Sequence, residues 1–234
     1  MPDNTIFTIR TDTNTKTSAV TTQKWGGLAS FLLAPAFIVP SLIYLTGNLR
    51  DASGPLAYNL ADFLYGPVWA ASLVTAVFAL RERMGERAPR RMTLALLAAL
   101  LAAGAMVSVA LIRSANRQYH LLHPELHLEG SMTVLIVWTT LVAGVTATGW
   151  HFLGWLWVLL GSAGWTSRRL PRGLSGLYWV AGLASLFVYL LPEMEENVVV
   201  LGVVASIWQG IVLWKAEPGE TYTSGKNASQ TDQA

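Results

Sequence analysis

Residues 132–165 read MTVLIVWTTLVAGVTATGWHFLGWLWVLLGSAGW, with no Asp, Glu, Lys or Arg and one histidine, His151. As a single α-helix this stretch would be about 50 Å long, against about 30 Å of hydrocarbon in a bilayer. It runs into Thr166-Ser-Arg-Arg-Leu-Pro-Arg172, a basic group with apolar sequence on both sides. The chain around it is 53% hydrophobic and 13% charged, whereas soluble domains carry about a quarter charged residues. The stretch is therefore read as a membrane span, and the chain as a polytopic, all-α integral membrane protein.

Working outward gives six apolar segments, at about 25–46, 58–80, 92–112, 132–165, 173–191 and 198–214. They form one transmembrane domain over 24–215, with no loop long enough to hold a second domain. Pro35 and Pro40 fall inside the first segment, which a bundle tolerates because neighbours can satisfy the freed carbonyls. Gly47-Asn48, Arg50-Asp51 and Ser53-Gly54-Pro55 read as a turn-forming loop. Residues 1–23 and 216–234 are polar and read as disordered cytoplasmic tails. The first tail lacks the apolar core of a signal peptide, so the first span is expected to remain as an anchor. There is no cysteine, which removes disulfides, thiolate metal sites and thiol catalysis.

Charge sets the expected orientation. The net charge is +2, and the basic residues lie beside apolar segments, where they act as topology signals rather than as a nucleic-acid surface. Six spans with both termini in the cytoplasm put Arg10, Lys16, Lys24, the five arginines of 81–91, Arg168, Arg169, Arg172, Lys215 and Lys226 inside. That is 13 of the 16 basic residues, with Arg50, Arg113 and Arg117 outside. A seventh span would put Arg168, Arg169 and Arg172 opposite the 81–91 run, so the long fourth helix is expected to be tilted or bent rather than doubled. Trp25, Trp165 and Trp214 then fall at inner ends, where indole favours the headgroup layer.

Three sets of residues could carry chemistry. Asp62 is the one carboxylate within a span, near the outer face, with Arg113 and Arg117 at similar depth as ion-pair partners. Its two readings are a lock between the second and third spans and a protonatable transport site. His151 shares a helical face with Thr140, Gly144, Thr148 and Gly154, which predicts a small, polar surface turned toward other helices. It is read either as a packed neutral imidazole or as a proton relay. His120, His123 and His127 lie in the loop after the third span with Glu125 and Glu129. Imidazole and carboxylate together suit a divalent metal, although Pro124 disfavours helical geometry at His123.

Gly149-Trp-His-Phe-Leu-Gly154, an apolar helix, and Ser167-Arg-Arg-Leu-Pro-Arg172 leading into the next helix resemble the DUF4386 family of small bacterial membrane proteins. The resemblance covers about 145–190 by motif and most of the chain by layout. It implies a six-span architecture and no chemistry.

The chain carries no metalloprotease H-E-x-x-H, phosphate-binding glycine loop, G-x-S-x-G or retinal-type lysine. That favours a non-enzymatic structural, regulatory or interaction role in a prokaryotic inner membrane. A small-molecule or proton carrier using Asp62 and His151, and a metal-binding protein using the loop histidines, stand as alternatives. No cofactor is called for beyond that metal. The lipid bilayer is the one partner composition dictates, and a homo-oligomer or protein partner is left open.

Overall fold

The computed structural model describes the backbone of residues 5–45, 47–123, 132–188 and 190–215. Within these, it describes the side chains of 21–44, 54, 56–119, 121–123, 136–188, 190–191 and 193–215. The elements are α1 (Thr5–Leu45), α2 (Gly47–Phe63), a π-helical turn (Leu64–Val68), α3 (Trp69–Met84), α4 (Pro89–Leu122), α5 (Met132–Ser167), α6 (Arg172–Phe187), a 3₁₀ turn (Pro192–Met194) and α7 (Glu195–Lys215). No strand occurs among the described residues. Among the described residues, five stretches are long and apolar enough to cross a membrane: Thr21–Tyr44, Leu56–Met84, Pro89–Tyr119, Ile136–Ser167 and Glu195–Lys215. The sixth segment expected from the sequence is α6, whose 16 residues make a rod of about 24 Å.

Two boundaries differ from the reading of composition. The backbone of α1 is helical from Thr5, through the threonine-rich stretch read as a tail. The turn-forming loop at 47–55 is largely helical, and its break is confined to Gly54, at φ 58° and ψ −158°. That conformation is open to glycine alone. Pro55 follows it, where a missing N–H costs nothing at the start of a new helix. The turn formers thus act through two residues rather than nine. The tail 216–234 lies outside the described residues.

The unusual length of the fourth span is matched by its neighbour. α5 is a single run of 36 residues, lying antiparallel to the 34 residues of α4. Their register is pinned by Arg91, which donates to Ser162 O at 3.2 Å and to Thr166 Oγ1. Further along, Gly149 sits so close to Met106 that an added Cβ would lie 2.8 Å from its methyl. Small residues set equally close approaches elsewhere. A Cβ on Gly182 of α6 would come within 2.8 Å of Gly154 O, and one on Gly26 within 2.1 Å of Ala79 Cβ, the kind of contact that packs helices without a hydrophobic drive from water.

Between these contacts the core is aromatic. Phe37 of α1 stacks on Trp150 of α5 at 5.9 Å and meets the edge of Trp69 at 5.2 Å. The enclosed cavity between Phe37, Trp69, Trp157 and Gln209 measures about 10 Å³, room for one water molecule at most.

One end of the bundle is basic. The 81–91 run and the 168–172 group meet there, because Arg83 Nε donates to Arg169 O at 2.9 Å and Arg87 to Ser167 O at 3.1 Å. Trp25, Trp165 and Trp214 are 61%, 59% and 54% exposed. Packing of Gly27 against the backbone N of Trp214 brings α1 and α7 to this same end. The other end carries Asp62.

Candidate functional site

The carboxylate end is assembled from α1, α2 and α4. Asp62 lies in the last turn of α2, one residue before Phe63 and the π-helical turn, and its side chain is only 3% exposed. A buried carboxylate needs both oxygens occupied, and both are. Tyr44, from the end of α1, donates its hydroxyl to Oδ1 at 2.6 Å. Arg117 of α4 pairs with Oδ2. The guanidinium is filled in turn: Asn59 Oδ1 accepts at 3.2 and 3.3 Å, Tyr58 O at 3.3 Å, and the Tyr44 hydroxyl oxygen at 3.4 Å. Aromatic faces complete the cage. Arg117 lies 5.7 Å from the centre of the Tyr58 ring and Arg113 lies 5.2 Å from that of Tyr44, distances at which a cation is drawn to the ring face.

Of the two partners offered by the sequence, Arg117 takes the carboxylate and Arg113 takes the ring. Tyr44, Tyr58 and Asn59 were missed. Asn59 and Tyr58 sit three and four residues before Asp62, on its face of the helix, which is the signal that would have found them.

Next to this cluster the chain runs through the π-helical turn, with Pro67 inside it. Proline has no N–H and its ring crowds the preceding turn, so the regular α ladder cannot run through it. A π turn absorbs the misfit. Gly66 in the same turn lets α4 approach, since a Cβ there would stand 2.5 Å from Ala110 Cβ. Below it, Glu195 at the start of α7 accepts from Trp150 Nε1 at 3.1 Å.

His151 is not where its pattern placed it. Thr140, Gly144, Thr148 and His151 all face out of the bundle, and only Gly154 turns inward. The inward face of α5 is claimed instead by Trp150, Leu153, Leu156, Trp157 and Leu160, with Gly149 and Gly154 making the close approaches. The outward Thr148 and His151 are bonded within their own helix. Thr148 donates to Gly144 O at 2.8 Å, and Trp155 Nε1 donates to His151 Nε2 at 3.1 Å. A polar group bonded one turn away asks nothing of a neighbouring helix. His151 and Asp62 are therefore not brought together.

The loop histidines are described only in part. His123 ends α4, half-buried, its ring 4.8 Å from that of Tyr119. The side chain of His120 and all of His127 lie outside the described residues. No group of three metal-ligating side chains gathers among the described residues.

One buried polar chain had no notice in the sequence. Tyr178 of α6 donates to Gln209 Oε1, Gln209 Nε2 donates to Ser30 Oγ at 3.0 Å, and Ser30 donates to Gly26 O at 2.7 Å. All three side chains are at most 4% exposed, and the chain ties α6, α7 and α1 together. Gln209 is the single glutamine of α7, in a stretch from Val198 to Trp214 whose one other hydroxyl or amide side chain is that of Ser206, and it is flanked on its face by Ala205 and Gly202; that pattern marks an interhelical hydrogen bond.

No family model matches the chain, and no curated protein or solved structure matches it either.

Proposed function

We propose that the chain is a six-span protein of a prokaryotic inner membrane, with both termini cytoplasmic, acting as a non-enzymatic structural, regulatory or interaction protein. Its Asp62–Arg117 pair locks the second span to the third. The observation carrying this reading is saturation. Both oxygens of Asp62 and each nitrogen of Arg117 already have a partner on α1, α2 or α4, so the pair is occupied in holding helices. The six-span count is supported by α5 being one helix and by the gathering of the 81–91 and 168–172 arginines at one end. The resemblance to the DUF4386 family belongs to this proposal and adds no chemistry.

A carrier is the second reading, and the π-helical turn beside Asp62 favours it, since such turns recur at functional sites. The two separate on one experiment. In the lock, Asp62→Asn lowers folded yield and thermal stability in detergent, and no pH-dependent uptake into proteoliposomes is lost because none exists. In the carrier, the same variant folds in full yield and abolishes such uptake. Reporter fusions at Gly85 and Gly130 test the layout, which fails if both report one compartment.

A further inference from the structure

Not all the arginines at the basic end are used in holding the fold. Arg83, Arg87 and Arg91 donate to backbone oxygens or a hydroxyl of the last turns of α5 and the residues just after it. Arg168 and Arg172 are exposed and their guanidinium groups donate no hydrogen bond to a described residue, and Arg169 Nε is buried without a hydrogen-bond partner. Nor does any described carboxylate pair with these three; Glu82 and Glu86 instead line a groove with Arg81 at the α3–α4 turn.

The backbone adds a further observation. Arg168 takes φ 54° immediately after α5, with its N–H donating to Gly164 O at 3.1 Å. This is the left-handed helix cap that glycine fills without strain. A strained arginine whose guanidinium is outside the hydrogen-bond pattern of the fold points to a use for that guanidinium. Arg172, four residues on, lies 5.9 Å from the centre of the Trp165 ring. Trp165, with Trp25 and Trp214, marks the layer where indole meets headgroups. Two exposed guanidiniums in that layer, one lying over the Trp165 ring and neither ion-paired to a described carboxylate, match an anionic phosphate on a lipid, which attracts basic residues beside a span.

We propose that Arg168 and Arg172, with Trp165, form a binding site for the headgroup of an anionic phospholipid at the α5–α6 turn. The proposal rests on the bundle spanning a bilayer. Its test uses the full chain in nanodiscs made from an equal mixture of phosphatidylglycerol and phosphatidylcholine, with co-purifying lipid counted by native mass spectrometry. The wild type should retain phosphatidylglycerol preferentially, and the preference should fall about fivefold for each arginine lost in Arg168→Gly and Arg168→Gly/Arg172→Gln. Arg168→Gly relieves the strained cap, so it should fold at least as well as the parent and cannot mimic the result by unfolding.

Equal retention of the two lipids by the wild type overturns this proposal and leaves the spanning reading intact. Failure to enter nanodiscs at all overturns both. Displacement of the bound lipid by millimolar inorganic phosphate would mean a site for free phosphate, and would also overturn it.

Discussion

Arg117 and Arg83 both reach across to another part of the bundle, but Arg117 finds a carboxylate where Arg83 finds a carbonyl. At the carboxylate end, one buried acid depends on one guanidinium and one tyrosine. At the basic end, three arginines reach three separate carbonyls, those of Ser162 and Ser167 in the last turns of α5 and that of Arg169 just beyond it, where the helix dipole offers only about half a negative charge. The first arrangement fails at a single point, because removing either partner strands a full charge. The second is distributed, and each arm can be lost while the others hold the turn.

The largest expected effect follows from that difference. Arg117→Gln leaves the buried Asp62 carboxyl without its cationic partner, and should lower stability by about 3 kcal/mol, read as a fall in thermal midpoint in detergent. Asp62→Asn should cost a similar amount. Tyr44→Phe removes one charge-assisted hydrogen bond while leaving the ion pair, and should cost about 1.5 kcal/mol. A loss as large as that of Arg117→Gln would make the tyrosine, rather than the arginine, the centre of the lock.

At the basic end, Arg87→Gln should cost only about 0.5 kcal/mol, since Arg83 and Arg91 remain on the same turn. A cost comparable with Arg117→Gln would erase the distinction between the two ends. The smallest effect is expected at His151. His151→Phe removes an outward-facing ring bonded only within its own helix, and should move the thermal midpoint by less than about 0.5 kcal/mol equivalent.

These contrasts also show what the sequence could carry. An acid in an apolar span is costly unless paired, so Asp62 and its candidate partners at matching depth stood out, and the structure chose Arg117. Likewise, tryptophan and arginine at span ends marked the basic end. Which face of a helix turns inward was harder to read. Small and polar residues are equally at home against another helix or bonded back to their own, so Thr148 and His151 looked internal together with Gly154, whereas only Gly154 of that face does the packing, joined by Gly149. Backbone partners have no sequence signature. Nothing in the 81–91 run announced that Arg83, Arg87 and Arg91 would meet the last turns of α5 and the residues just after it. The loop at 47–55 failed for a related reason: its turn formers are permissive rather than obligatory, and only Gly54 uses the freedom it has.

The most direct test of the lock is a double-mutant cycle on Asp62→Asn and Arg117→Gln, measured as unfolding free energy in detergent with pH-dependent uptake assayed on the same proteins. The lock predicts a coupling of about 2 kcal/mol, with the double variant more stable than the sum of the single losses would allow. Additive losses, or singles of parental stability that lack an uptake activity the wild type possesses, would contradict it.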